Sequence, residues 1–147
     1  EKDLAGQVTV LHFWDYKDQP LKEPYGQVGY LEFLFQKRKE QGVKVYGVAV
    51  DPRLADDAGR RAASSSVRKL KTFMNLSYPI ALDGGDLIKT IGDPRAAGAS
   101  LPLFVVIGRD GKVTHYHTGF YDVDRQVGLK DLSTAVDEAL KAQLPAK

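Results

Sequence analysis

The sequence predicts an α/β domain, a central mixed β-sheet flanked by helices on both faces. Three observations carry this. Apolar runs at 8–14 and 43–50 are rich in β-branched and aromatic residues, as strands buried on both faces are. Between them apolar residues recur at helical spacing, so the connection is a helical crossover and the two strands run parallel. Further along, Asp110-Gly111 separates two more strand-like runs, the strongest short-range signal for an antiparallel hairpin.

Val8 to Trp14 is the first strand. A helix is expected from about Pro24 to Glu40. Pro24 suits a first-turn position, Val28, Leu31, Leu34 and Phe35 supply the apolar positions, and Gly42 is the stop. Gly26 and Gly29 each weaken the first turns by about 1 kcal/mol relative to Ala. Val43 to Val50 is the second strand, ended by Asp51-Pro52. Arg53 to Ser66 is small and polar, and reads as a loop leading into a helix capped near Ser65 or Ser66. Val67, Leu70, Phe73 and Met74 would form that helix's inner stripe. Tyr78 to Leu82 reads as a short extended segment, Asp86 to Ile91 as one or two helical turns, and Arg95 to Ser100 as an Ala/Gly-rich loop. Leu103 to Ile107 and Val113 to Thr118 form the hairpin. The last helix is expected from about Leu129 to Gln143, with Leu129, Leu132, Val136, Ala139 and Leu140 on its buried face. Asp-Pro-Arg occurs at 51 and again at 93, but the flanking residues disagree, so no internal repeat follows.

A chain of 147 residues suits one compact domain, here residues 1–147, and at this length a core forms without staples. Hydrophobic residues make up 43% and charged residues 27%, the balance of an ordinary globular domain. A net charge of +2 is too small to suggest a nucleic-acid partner. No apolar run approaches the ~20 residues of a membrane span, so no membrane insertion by this segment is expected. The chain starts at Glu1 without an initiator Met, which suggests a processed form or a domain excised from a larger or exported protein.

Residues 8–24, V-T-V-L-H-F-W-D-Y-K-D-Q-P-L-K-E-P, are similar to the thioredoxin active-site segment, a hydrophobic strand followed by F-W-x-x-W-C-x-P-C-K. Phe13, Trp14, Pro20 and Lys22 fall on matching positions, and the two cysteines fall on Asp18 and Leu21. A second segment, Leu101-Pro102-Leu103-Phe104-Val105-Val106-Ile107 followed by Gly108-Arg109-Asp110-Gly111-Lys112-Val113, resembles the family's P-T-x-F-x-I-D-x-D-G-K-V. Gly42 to Asp51 resembles G-V-x-V-V-G-V-S-V-D, and Gly119-Phe120 falls where the family often closes the next strand with glycine. Over roughly residues 4–143 the chain therefore resembles the thioredoxin-like superfamily, and within it the TlpA/ResA-type thiol–disulfide oxidoreductases that grade into the redoxins.

The resemblance implies a thioredoxin-like fold and an exported location. It also implies a cis peptide bond before Pro102, which faces the dithiol in thioredoxins, and a substrate-contacting role for the residue before it, here Leu101. Three departures limit what carries over. Lys17 replaces the tryptophan before the dithiol motif. The family's helix proline lies eight residues after the first cysteine, whereas Pro24 lies six after Asp18. Above all, the chain contains no cysteine. Thiol–disulfide exchange needs a thiolate to attack a sulfur, and neither Asp nor Leu does this.

What remains is a former active-site loop, Trp14, Tyr16, Asp18, Pro20 and Leu21, facing Leu101 and Pro102. Asp18 reads as a helix N-cap or first-turn acid, or else as a carboxylate offered to a ligand in the groove. Trp14, Tyr16, Tyr25 and Tyr121 read as core or groove-wall packing, or as aromatic anchors for a partner. His12, in phase with Val8, Val10 and Trp14, reads as a hydrogen-bonded core histidine. His115 and His117 share one face of an edge strand and read as solvated. They would form a weak metal site only if a third ligand converged. Arg60, Arg61, Arg68, Lys69 and Lys71 read as a solvated helix face. No phosphate-cradling loop, nucleophile elbow or zinc-spaced cluster is present, and no cofactor is expected.

The expected function is that of a redox-inactive domain binding a peptide or protein in the former active-site groove near Pro102. A structural or assembly module, using the 53–66 segment or the edge strand, is the alternative. A non-thiol enzyme using Asp18 and a histidine is a third reading, which no constellation supports.

Overall fold

The computed structural model describes residues 7–15, 28–99, 101–119, 121 and 128–141. Among these residues five strands form one sheet in the order β3-β2-β1-β4-β5, with β1 spanning Val8–Asp15, β2 Val43–Val50, β3 Ile80–Asp83, β4 Leu103–Ile107 and β5 Val113–Thr118. β1 pairs parallel with β2 and β2 parallel with β3, while β4 runs antiparallel to both β1 and β5. The sheet is mixed, as the two parallel-type runs and the Asp-Gly hairpin require.

Helix α1, Val28–Arg38, continues into a 3-10 turn over Lys39–Gln41 that Gly42 closes. Residues 24–27 of the expected helix lie outside the described residues. Val28, Leu31 and Leu34 of α1 pack with Leu129 and with Leu132, Val136 and Ala139 of α4, Lys130–Lys141. Together they cover Val8 and Val10 of β1, Val43 and Val45 of β2, and Phe104 and Val106 of β4. α3, Asp86–Ile91, lies on the opposite face, where Ile88 packs on Leu11, Phe13, Leu103 and Val105. The alternation along β1 separates the two faces, with Val8 and Val10 toward α1 and α4 and Leu11 and Phe13 toward α3.

α2 corrects the sequence reading. It spans Asp57–Met74 and begins about two turns ahead of Ser65. Its cap is Asp56, whose carboxylate accepts the Gly59 amide at 2.7 Å. The stretch expected to be a loop is a 3-10 turn, Pro52–Ala55, followed by two turns of this helix. Gly59 is where the two pack together. A Cβ there would lie 1.9 Å from the Arg53 carbonyl oxygen, so only glycine fits. The inner stripe also differs. Ala63 and Leu70 are buried and Val67 and Met74 half-buried, but Phe73 is 70% exposed. A small alanine, not a large apolar residue, brings the first half of α2 onto the sheet, and small residues leave little trace in a hydrophobic pattern.

Arg95 to Ser100 was expected to loop out, but Pro94–Ala97 forms a 3-10 turn. The two Asp-Pro-Arg segments fold alike despite their different flanks. Asp51 accepts the Arg53 amide at 2.8 Å and the Arg53 guanidinium at 3.0 Å from two nitrogens. Asp93 accepts the Arg95 amide at 3.0 Å and the Arg95 guanidinium through both carboxylate oxygens. The hydrogen bonds from Arg95 hold the Asp93 carboxyl below the usual carboxylate range. Proline supplies the φ of the first turn residue, the aspartate caps it and the arginine closes back on the cap. Among the described residues no helix is long and apolar enough to cross a membrane.

Candidate functional site

The C-terminal end of β1 and the N-terminal end of β4 meet at one end of the sheet, because Phe13 pairs with Leu103 in an antiparallel register. Leu101 and Pro102 therefore enter β4 beside the point where the chain leaves β1. The Leu101–Pro102 peptide bond is cis. Pro102 is buried, and its carbonyl accepts the Gly119 amide at 2.8 Å, tying this corner to the end of β5. Leu101 is half-buried and packs against the cluster of Leu11, Phe13, Ile88 and Leu103. Tyr16, Asp18, Pro20 and Leu21 lie outside the described residues, as do Tyr25 and Phe120.

Trp14 is core. It is 4% exposed and packs with Ala49 of β2, with Leu54, and with Ala63 and Leu70 of α2. The space for its ring comes from Gly47, where a Cβ would lie 2.9 Å from Trp14 Cζ3 and 3.2 Å from Ile80 Cγ1. Its indole Nε1 is buried without a hydrogen-bond partner.

His12 is a core residue but not a hydrogen-bonded one. It is fully buried, and neither ring nitrogen has a hydrogen-bond partner. Its ring stacks on Phe104 at 4.5 Å, with 7° between planes, and lies 5.5 Å from Trp14. Burial alone pushes its pKa down to about 3. A neutral imidazole in an apolar slot behaves as a flat hydrophobe, and its neighbours here are rings, not donors or acceptors.

The sequence reading made His115 and His117 solvated edge residues, but both are half-buried. They do share one face of β5, with rings parallel to within 4° and centroids 6.3 Å apart. Tyr121 joins them. Its ring stacks on His117 at 3.9 Å, and its Oη lies 2.6 Å from His115 Nε2. Tyr121 also meets Phe104 edge-on at 4.8 Å, so a continuous column of rings runs from His12 through Phe104 and Tyr121 to the two surface histidines. Burial, and then the neighbouring His117, push the His115 pKa down, while Asp131 pulls it upward. Burial and Asp131 raise the Tyr121 phenol. The sequence leaves Tyr121 as core, groove wall or partner anchor, and the structure buries it in the core. Its place between Phe104 and the histidines depends on where the chain returns after β5, which periodicity does not encode.

Arg60, Arg61, Arg68 and Lys69 lie exposed on α2, with Lys71 half-buried. The Arg60 guanidinium donates to the Leu54 carbonyl, so part of this basic stretch serves the fold. Among the described residues no three His, Cys, Asp or Glu side chains converge as a metal site.

The Redoxin family model matches residues 1–134. No curated protein matches the chain. Solved structures similar in fold include a thiol:disulfide interchange protein of the thioredoxin family from Chlorobium tepidum TLS, with a TM-score of 0.69 and 17% identity over 95% of this chain and 83% of that one. A putative thiol:disulfide interchange protein DsbE from Chlorobium tepidum has a TM-score of 0.62 and 23% identity over 95% and 84%. StoA from Bacillus subtilis has a TM-score of 0.61 and 18% identity over 89% and 83%. At these identities the likeness is one of fold.

Proposed function

The chain belongs to the Redoxin family, and from that premise we propose that it is a redox-inactive thioredoxin-like domain that acts by binding an extended peptide or protein segment beside Leu101 and Pro102. The observation carrying this reading is a sheet end arranged as in a thiol–disulfide protein, with β1 leaving beside Leu101–Pro102, in a chain with no cysteine. Exchange chemistry needs a thiolate that this chain does not possess. Recognition through backbone hydrogen bonds next to Pro102 needs none. In this reading residues 1–147 act as a single domain, Trp14 supports the site from the core, and Tyr16, Asp18, Pro20 and Leu21 are the residues proposed to contact the bound segment. An extracytoplasmic location follows from the family resemblance alone.

Two measurements test it. Insulin-type disulfide reduction should not exceed the no-protein rate, and turnover above it refutes redox inactivity. An extended peptide selected from a library should lose binding in Leu101→Trp, with the far-UV spectrum unchanged. Binding indifferent to that substitution would exclude the site beside Pro102.

One observation favours an assembly role as the second reading. Among the described strands β5 is at the edge, with no charged residue and no proline from Val113 to Thr118, and Val113 and Tyr116 are exposed. Edge strands usually carry such protection against pairing. A concentration-dependent dimer in light scattering, broken by Thr114→Lys, would support it.

A further inference from the structure

We propose that His115, His117 and Tyr121 form a binding site for a divalent transition-metal ion, best suited to Cu(II), at the end of the ring column on β5. The donors are two imidazole nitrogens and a phenol oxygen, a set that suits a borderline ion, and Cu(II) heads the affinity order for such sites.

Two of the three donors already lie side by side, and the third has to turn to join them. Two adjacent ligands bound to one ion at about 2.0–2.2 Å are separated by roughly 2.8–3.1 Å at the right angles of a tetragonal site. His115 Nε2 and Tyr121 Oη are already 2.6 Å apart, sharing a hydrogen bond. An ion replacing the shared proton widens that pair by a few tenths of an ångström. His117 comes from the same strand face two residues on, which is the spacing of a strand chelate. Stacked on Tyr121, its lone pair lies in a plane parallel to that of the other two donors, 14° from it. Binding therefore takes the His117 ring out of the stack. Asp131, the acidic residue in the first turn of α4, acts on both His115 and Tyr121 and adds negative charge near the ion.

The composition sharpens the proposal. The chain has three histidines, no cysteine and one methionine. The third histidine, His12, is fully buried and stacked on Phe104. Imidazole-based metal binding by the folded chain therefore has one address. The two histidines alone would make a weak chelate, and it is Tyr121, brought back beside them after β5, that turns a pair into three donors.

The test is titration of the folded chain with Cu(II) against a weak competing chelator such as glycine, followed by absorption and EPR spectroscopy. The expected result is one equivalent bound, hyperfine coupling to two imidazole nitrogens, and a phenolate-to-copper charge-transfer band in the visible. Tyr121→Phe keeps the ring against Phe104 and should lose the band. His115→Gln and His117→Gln should each weaken binding by more than the ~100-fold upper range for loss of an outer-shell partner. Absence of stoichiometric binding, binding indifferent to either histidine, or a complex without the charge-transfer band would overturn the site.

Discussion

His12 lies face to face with Phe104 in the middle of the sheet, the two rings 4.5 Å apart and within 7° of parallel, with both imidazole nitrogens unpartnered. A histidine in this position contributes to the core only while it is neutral. Its pKa falls from 6.5 to about 3 on folding, because burial penalises the charged form. Below the unfolded value the unfolded chain binds a proton that the native chain does not, so stability rises with pH across this window. The contribution is complete above about pH 6.5 and is lost as pH falls toward 3, at up to about 1.4 kcal/mol per pH unit. Urea unfolding at pH 7.5 and 4.5 should show the loss. His12→Leu should reduce the difference between the two pH values, since it removes the titrating group and no hydrogen bond. An unchanged difference would mean that carboxylates alone set the acid sensitivity.

Gly47 and Trp14 are matched in shape. A Cβ at Gly47 would lie 2.9 Å from the indole, a rigid ring held by α2 on its other side. Gly47→Ala should cost about 1–3 kcal/mol, the usual range for overpacking a core. Trp14 is the chain's one tryptophan, so tryptophan emission reports on the surroundings of this ring. The emission maximum should shift to longer wavelength in the variant. No change in stability or emission would show that the indole moves aside at no cost.

Asp83 is a buried carboxylate that accepts three backbone amides, from Gly85 at 2.9 Å, Leu87 at 3.1 Å and Ile88 at 2.9 Å. These are first-turn donors of α3, which have no partner within the helix. Asp83→Ala should cost about 2–3 kcal/mol, because it leaves buried amides unsatisfied next to the core residue Ile88. Amide exchange in residues 85–88 should accelerate in the variant. Equal stability in chemical denaturation would contradict a capping role.

Along α2, Leu70→Ala should cost about 2–4 kcal/mol, as truncation of a buried leucine does. Phe73→Ala should cost clearly less, since most of its ring is in solvent. The sequence pattern alone places both on the inner stripe and predicts similar losses. Thermal denaturation of the two variants distinguishes the readings by rank order.

The ends of β4, β5 and α3 fall where the pattern places them, because each is bounded by local chemistry: Asp110-Gly111 between two strands, and Asp86 opening a helix that Gly92 closes. The core assignments of α1 and α4 follow from apolar spacing that tertiary contacts reinforce. The start of α2 was misread because its cap, Asp56, and its buried Ala63 are small signals beside a run of serines. The matching folds of the two Asp-Pro-Arg segments were hidden for a similar reason. The similarity resides in an aspartate and an arginine that bond to each other, not in the residues around them.

For the site, composition is enough to rule out one chemistry. Exchange requires sulfur, and no arrangement of this chain supplies a cysteine. The sequence also specifies the mixed sheet, because strand and helix periods are local properties. The roles of the rings depend on packing between segments. Trp14 lies far in sequence from Ala63, and His12 and Tyr121 from Phe104, the residues that they touch. Whether such a residue is core, wall or ligand depends on which distant side chain packs against it, and that is fixed by strand order and register after the chain has folded.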